Sequence, residues 1–324
     1  MQHLITIIFS LFLTSGYSQQ TFKKIAYTTP NTPLETIPFE YLTHINYSFA
    51  IPAKTGDTLE TIENREYIKA LINRSHGLGV KVFLSIGGWG IGDGGGDDSR
   101  FHRMAETSVG RLRFMASSLK AVQDFGFDGI DLDWEYPDPD HRSADDFVLL
   151  CRDLQQALHH MQKELSCAVI SHGKTGYGIR ESVFPFLDWV NLMAYDGDYL
   201  ADSIIHHSPY SLATESIDFW LRERNLPAEK CVLGLPLYAK KGHGQYGFGY
   251  SKLLESGANP EEDFWNGHFY NGKKTISLKT KLAIDKNLAG VMVWELRLDA
   301  TGEHSLIKII HDTATTALSA ETAK

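Results

Sequence analysis

Asp128, Asp131, Asp133 and Glu135 crowd into one short stretch, Phe127-Asp-Gly-Ile-Asp-Leu-Asp-Trp-Glu-Tyr-Pro137. The last three acids alternate with Leu132 and Trp134, and Ile130 precedes them. Alternation at period two is the pattern of a β-strand, so the three carboxyls share one side, roughly 6–7 Å apart along the chain. Gathering them on an apolar segment is costly, because like charges repel and each carboxylate loses water. Such a row suits proton transfer: a carboxyl flanked by others keeps its proton to higher pH and can hand it to a departing group. Glu135, nearest the carboxyl end of the strand, is the expected donor. Asp133 and Asp131 are expected to share a proton behind it, the three titrating as one coupled group. A solvent-facing acidic edge strand would explain the spacing but not the apolar residues on either side.

A strand of this kind needs a scaffold that presents its end. Apolar runs near 24–29, 44–50, 80–86, 128–135, 166–171, 189–195, 231–238 and 290–295 read as strands. Amphipathic stretches at 63–76, 109–125, 143–163, 214–223, 277–286 and 305–318 read as helices, with Ser143 and Asp146 as a cap and acidic first turn. Eight strands alternating with helices predict an α/β chain of the (β/α)8 barrel type, in one domain over residues 19–324. In that architecture the active site forms at the carboxyl ends of the strands, where Glu135, Tyr195, Asp196 and Trp294 all fall. A doubly wound sheet is the competitor, but no glycine-rich phosphate turn follows the first strand.

The acidic strand also resembles the D-x-x-D-x-D-x-E signature of the chitinases of glycoside hydrolase family 18, matched in full from Asp128 to Glu135. Further landmarks follow in that family's order. His44-Ile-Asn-Tyr-Ser-Phe-Ala50 resembles its second strand, Ser85-Ile-Gly-Gly-Trp89 its S-x-G-G motif, and Met193-Ala-Tyr-Asp196 its M-x-Y-D. Gly234-Leu-Pro-Leu-Tyr238 and Gly290-Val-Met-Val-Trp-Glu295 are similar to strands seven and eight.

The resemblance implies a TIM barrel that cuts β-1,4-linked N-acetylglucosamine without metal or cofactor. It implies Glu135 as acid and base, Asp133 as partner of the substrate's acetamido group, and Asp131 behind them, with Tyr195 and Asp196 beside the sugar. Trp294 is implied as the sugar platform, and Tyr27 and Ser85 as donors to the inner aspartates. Trp89, Tyr238 and Met193 complete the expected substrate-binding set. The implied chemistry is retaining and substrate-assisted, through an oxazolinium ion, in a family that departs from the usual two-carboxylate scheme. Two rivals remain open: an endo-β-N-acetylglucosaminidase acting on N-glycans, and a non-hydrolytic chitin-binding lectin. The terminal Glu135 argues against the lectin.

Many members of the family carry an α+β insertion after strand seven; residues 239–276 are too few for it. A loop is expected there, ending in a hairpin turn within Phe269-Tyr-Asn-Gly-Lys273. A low wall at that place predicts an open groove, endo-type cutting and low processivity.

Composition is permissive. The chain has 324 residues, 43% hydrophobic and 22% charged, an ordinary globular balance. A net charge of −9 disfavours nucleic acid and anionic membranes, which reward clustered Lys and Arg. Residues 4–13 form a short apolar run, followed by Gly16 and Ser18 at the spacing of a cleavable leader, so residues 1–18 are expected to be removed and the chain secreted or periplasmic. A membrane anchor would need about 20 apolar residues. Cys151, Cys167 and Cys231 lack the count and spacing of a disulfide framework or zinc site, although one pair remains conceivable. The acidic loop Asp93-Gly-Gly-Gly-Asp-Asp98 lacks a calcium loop's full ligand spacing and reads as solvated. A monomer acting on a neutral polysaccharide is the expected arrangement.

Overall fold

The computed structural model describes residues 21–92, 96–199, 206–242 and 245–322; the expected leader at 1–18 lies outside them. The strands in chain order are β1 (Lys23–Thr28), β2 (His44–Ala50), β3 (Lys81–Gly87), β4 (Gly129–Asp133), β5 (Glu164–Ile170), β6 (Trp189–Met193), β7 (Cys231–Pro236), β8 (Tyr238–Lys240), β9 (Tyr246–Gly249), β10 (Phe264–Trp265), β11 (His268–Phe269) and β12 (Gly290–Trp294). β1 to β7 and β12 pair in parallel, and β12 joins both β1 and β7, closing a barrel. All eight expected strands are therefore present, buried on both faces as parallel strands require.

The helices are α1 (Arg65–Gly77), α2 (Ser99–Ala105), α3 (Ser108–Phe125), α4 (Ser143–His160), α5 (Tyr210–Asp218), α6 (Tyr250–Glu255), α7 (Lys273–Asp285) and α8 (Leu306–Thr322). α3 illustrates how the sequence sets one. Thr107 caps it by accepting from Gly110 N, Gly126 ends it at φ 88°, and Phe114, Val122 and Phe125 face the barrel. α4 starts where expected, but Ser143 is its first residue and Arg142 precedes it as cap; the Ser143 hydroxyl instead accepts from Asp138 N. The helix expected at 214–223 begins earlier, as α5, and passes into a single π turn over Phe219–Glu223.

The main correction concerns the segment after β7. The chain there is no loop: β10, β11, β8 and β9 form a four-stranded antiparallel sheet beside the barrel, without a separate insertion domain among the described residues. The hairpin turn is Asn266-Gly267, both at positive φ, rather than Asn271-Gly272; Gly272 caps α7 with extended backbone. These strands are two to four residues long, too short for periodicity to register.

The core has two parts. A large apolar layer lies between strands and helices, while Ile25, Phe83, Trp189, Val232 and Met292 fill the lumen. Phe83 and Trp189 pack tilted with ring centroids 4.9 Å apart, and His44 sits 5.2 Å from Trp189, plugging the amino-terminal end. The three cysteines are buried free thiols. Among the described residues no helix is long and apolar enough to cross a membrane.

Candidate active site

Above the aromatic plug the lumen becomes polar, and register decides which side chains meet. Asp131 on β4 pairs in register with Ser85 on β3 and Ser166 on β5. Its Oδ2 accepts from Tyr27 Oη at 2.7 Å and Ser85 Oγ at 2.8 Å. Its Oδ1 accepts from Ser166 Oγ at 2.7 Å and Asn191 Nδ2 at 3.1 Å. Burial pushes this carboxyl up, and the four donors oppose that push. The expected donors Tyr27 and Ser85 are in place. Ser166 and Asn191 were missed: nothing in either strand's own pattern marks them, and only the barrel's closure brings them to Asp131.

Asp133, two residues on, lies 4% exposed, and its Oδ1 meets no donor among the described residues. No hydrogen bond joins it to Asp131, whose oxygens are taken by the four donors, so the expected proton sharing has no direct bond behind it. Burial, then the charges of Glu135 and Asp131, hold Asp133 well above the usual carboxylate range. Glu135 comes just past the end of β4 and opens partly to the cleft. Burial raises it to about 7; the Tyr136 hydroxyl pulls the other way and the charge of Asp196 adds to the rise. With Glu135 raised to about 7 and Asp133 beside it raised as well, the row holds a proton available for transfer. Gly87 makes room for it. At φ 119° it lies against β4, where a Cβ would come 2.2 Å from the Asp133 carbonyl oxygen.

Tyr195 and Asp196 follow β6. Among the described residues the Tyr195 hydroxyl has only the thioether of Met292, at 3.9 Å, as a hydrogen-bond partner. Burial and the charges of Asp133, Asp196 and Glu135 keep it protonated. Gly234 on β7 leaves space for this ring, since a Cβ there would lie 3.1 Å from Tyr195 Cε1. Asp196 stands at φ 56° and accepts from Tyr238 Oη at 2.7 Å. Lys240 Nζ lies 3.3 Å and His207 Nδ1 3.5 Å from its Oδ1. Burial would raise Asp196, but His207, Lys240 and Tyr238 outweigh it and hold the carboxyl below its ordinary value. Burial lowers His207, and its contact with Asp196 pulls the other way. Lys240 and His207 were missed, because the short strand and turn that carry them have no periodic signal.

The aromatic floor is Trp294, at the end of β12, 5.5 Å from Tyr27 and stacked on Phe49 at 5.7 Å. Met193, like Trp294, packs against the lumen cluster. Trp89, 61% exposed, projects from the loop after β3. Tyr238 touches the Tyr195 ring edge-on at 6.2 Å. All the expected site residues therefore lie at the carboxyl-terminal mouth. Asp128, the first acid of the motif, does not: it sits before β4 and ties His76, Val82 N and Lys163 together. Trp134 points outward, stacked on Phe101 at 5.0 Å and donating to Asp98. Asp98 is thus engaged rather than simply solvated; 93–95 lie outside the described residues.

Comparison with known proteins gives a consistent result. Residues 15–299 match the model for glycosyl hydrolases family 18. The chain is 28% identical to probable chitinase 10 of Drosophila melanogaster over 85% of its own length and 15% of that protein. It is 26% identical to endochitinase 1 of Metarhizium robertsii, covering 84% of this chain and 78% of that one. The chitinase ChiB from the chitin utilization locus of Flavobacterium johnsoniae superposes with a TM-score of 0.80 at 25% identity, over 92% of this chain and 95% of that chain.

Proposed function

The chain belongs to glycosyl hydrolases family 18, and from that premise we propose that it hydrolyses β-1,4 linkages between N-acetylglucosamine units of chitin or its oligomers. One observation carries the reading: a carboxyl raised to about 7 at the cleft, Glu135, beside a buried aspartate, Asp133, with an acceptor oxygen that no donor among the described residues meets. An acetamido N–H fits that oxygen.

In the proposed mechanism Glu135 protonates the glycosidic oxygen, and the C1–O bond breaks as the acetamido carbonyl oxygen attacks C1. Asp133 accepts the acetamido N–H and stabilises the positive charge that develops on the resulting oxazolinium ion. The Tyr195 hydroxyl, whose partner among the described residues is the weak thioether acceptor of Met292, donates to the acetamido oxygen, and Asp196 helps hold the distorted sugar. Glu135, now ionised, takes a proton from water as the water attacks C1 and the C1–O bond to the acetamido oxygen breaks, which regenerates the acetamido group and returns the enzyme to its starting state with retained configuration. Trp294 supplies an apolar face for the pyranose ring. We further propose that the enzyme is exported after loss of residues 1–18, acts as a monomer, and cuts in endo fashion.

The test is product analysis on chitin oligomers and a high-mannose glycopeptide side by side. Oligomer cleavage alone supports the reading. Glycopeptide cleavage alone would move the assignment to N-glycans, and binding without cleavage would make the protein a lectin.

A further inference from the structure

We propose that Lys240 is the positioning residue for Asp196, and that the small antiparallel sheet exists to hold that lysine in place. The inference deepens the functional reading above and rests on it.

Asp196 needs a holder. It occupies the left-handed region, at φ 56°, where a side chain other than glycine is unfavourable unless its surroundings enforce it. Its neighbours in the turn are Gly197 and a second aspartate, Asp198, whose side chain is fully buried. Two carboxylates in one buried turn repel each other. Strand β8 resolves this. Tyr238 and Lys240 are two residues apart and so share a face, and both reach the same oxygen, Asp196 Oδ1. Lys240 Nζ also donates to Asp198 Oδ1 at 2.8 Å, so one fully buried ammonium bridges the two acids. A lysine so placed is costly to desolvate and is held by its partners, and removing it takes its charge from both carboxylates at once.

β8 has no place in the barrel. It is positioned by antiparallel neighbours: Lys240 pairs with Phe269 on β11 and Tyr246 on β9, and Tyr238 with Gly249. Among the described residues the other groups facing Asp196 are Tyr195 at the end of β6, Glu135 past β4, Tyr238 on β8, and His207 ahead of α5. Within this described set Lys240 brings a cation that does not depend on protonating an imidazole ring. With it in place Asp196 stays ionised and oriented while Glu135 is still protonated. Without it Asp196 takes up a proton at higher pH, and the sugar loses that contact.

The experiment is a pH profile of kcat/KM on a fluorogenic chito-oligosaccharide, with thermal melts, for wild type, Lys240→Met, Lys240→Arg and Asp198→Asn. Lys240→Met should lose about 10²-fold, mostly in kcat, with its acidic limb moved up by about one pH unit. Lys240→Arg should recover to within about tenfold of wild type, since it restores the charge. Asp198→Asn should shift the acidic limb down, because Lys240 then serves Asp196 alone; this arm decides the matter if Lys240→Met does not fold. A folded Lys240→Met with the wild-type profile, an equal loss in both lysine variants with no shift of the limb, or an Asp198→Asn limb that stays or rises would each overturn the proposal. Wild-type inactivity on chito-oligosaccharides would instead remove the functional reading beneath it.

Discussion

Replacing Tyr136 with Phe should move the alkaline limb of the rate profile upward, a result that would separate the forces acting on Glu135. Burial raises Glu135 to about 7, and the Tyr136 hydroxyl opposes that rise by stabilising the carboxylate. Removing the hydroxyl disfavours the charged form, so the pKa must go up. A hydrogen bond to a charged group contributes about 1.5–3 kcal/mol, and one pKa unit corresponds to about 1.36 kcal/mol. Glu135 opens to the cleft, so water replaces part of the lost bond, which leaves a shift of about one unit. At pH about 8 the protonated fraction then rises from about a tenth to about a half, and kcat/KM on a chito-oligosaccharide rises about fivefold. Phe keeps the ring, so packing is preserved. Single-turnover measurements across the alkaline range would isolate the chemical step. An alkaline limb that stays put, or moves down, would refute the claim that this hydroxyl holds Glu135 in check.

Glu135→Gln should retain oligomer binding by calorimetry while losing about 10³-fold or more of turnover; near wild-type turnover would remove Glu135 from the acid role. The same variant should be more stable at neutral to alkaline pH. Because folding raises Glu135 from 4.5 to about 7, its stability contribution is intact below the unfolded value and lost as pH rises through 7. The gain in the variant should therefore approach about 3 kcal/mol above pH 7 and vanish near pH 4, as read by denaturant melts. Ser166→Ala removes one of four donors to buried Asp131 and should cost about 1.5–3 kcal/mol; a loss below about 0.5 would mean the network is slack. Viscosity of a soluble chitin derivative should fall well before reducing sugar accumulates. Disaccharide release with polymer length maintained would instead mean a processive, enclosed groove.

The aspartate row, the eight barrel strands and the placement of Glu135, Tyr195, Asp196 and Trp294 at strand ends were legible in the sequence. The reason is local: an acid at every second position and continuous Val/Ile/Leu runs are properties of adjacent residues, and strand ends carry the site in any (β/α)8 barrel. Ser143 misled because a serine three residues before an acid suits a cap, but it is equally suited to accept from the turn just before the helix.

The barrel and the acids at its mouth thus follow from local patterns along the chain. Their charge states and orientation arise from long-range contacts in the fold. Asp131 is held by donors from β1, β3, β5 and β6, and which serine or asparagine stands beside it depends on strand register around a closed sheet. Asp196 is held by β8, a three-residue strand whose place is set by pairing with β9 and β11 rather than by any pattern of its own. Glu135 reaches about 7 through burial and the charge of an aspartate 61 positions along the chain. Desolvation and Coulomb interactions act through space, so they exist only once the chain has closed on itself.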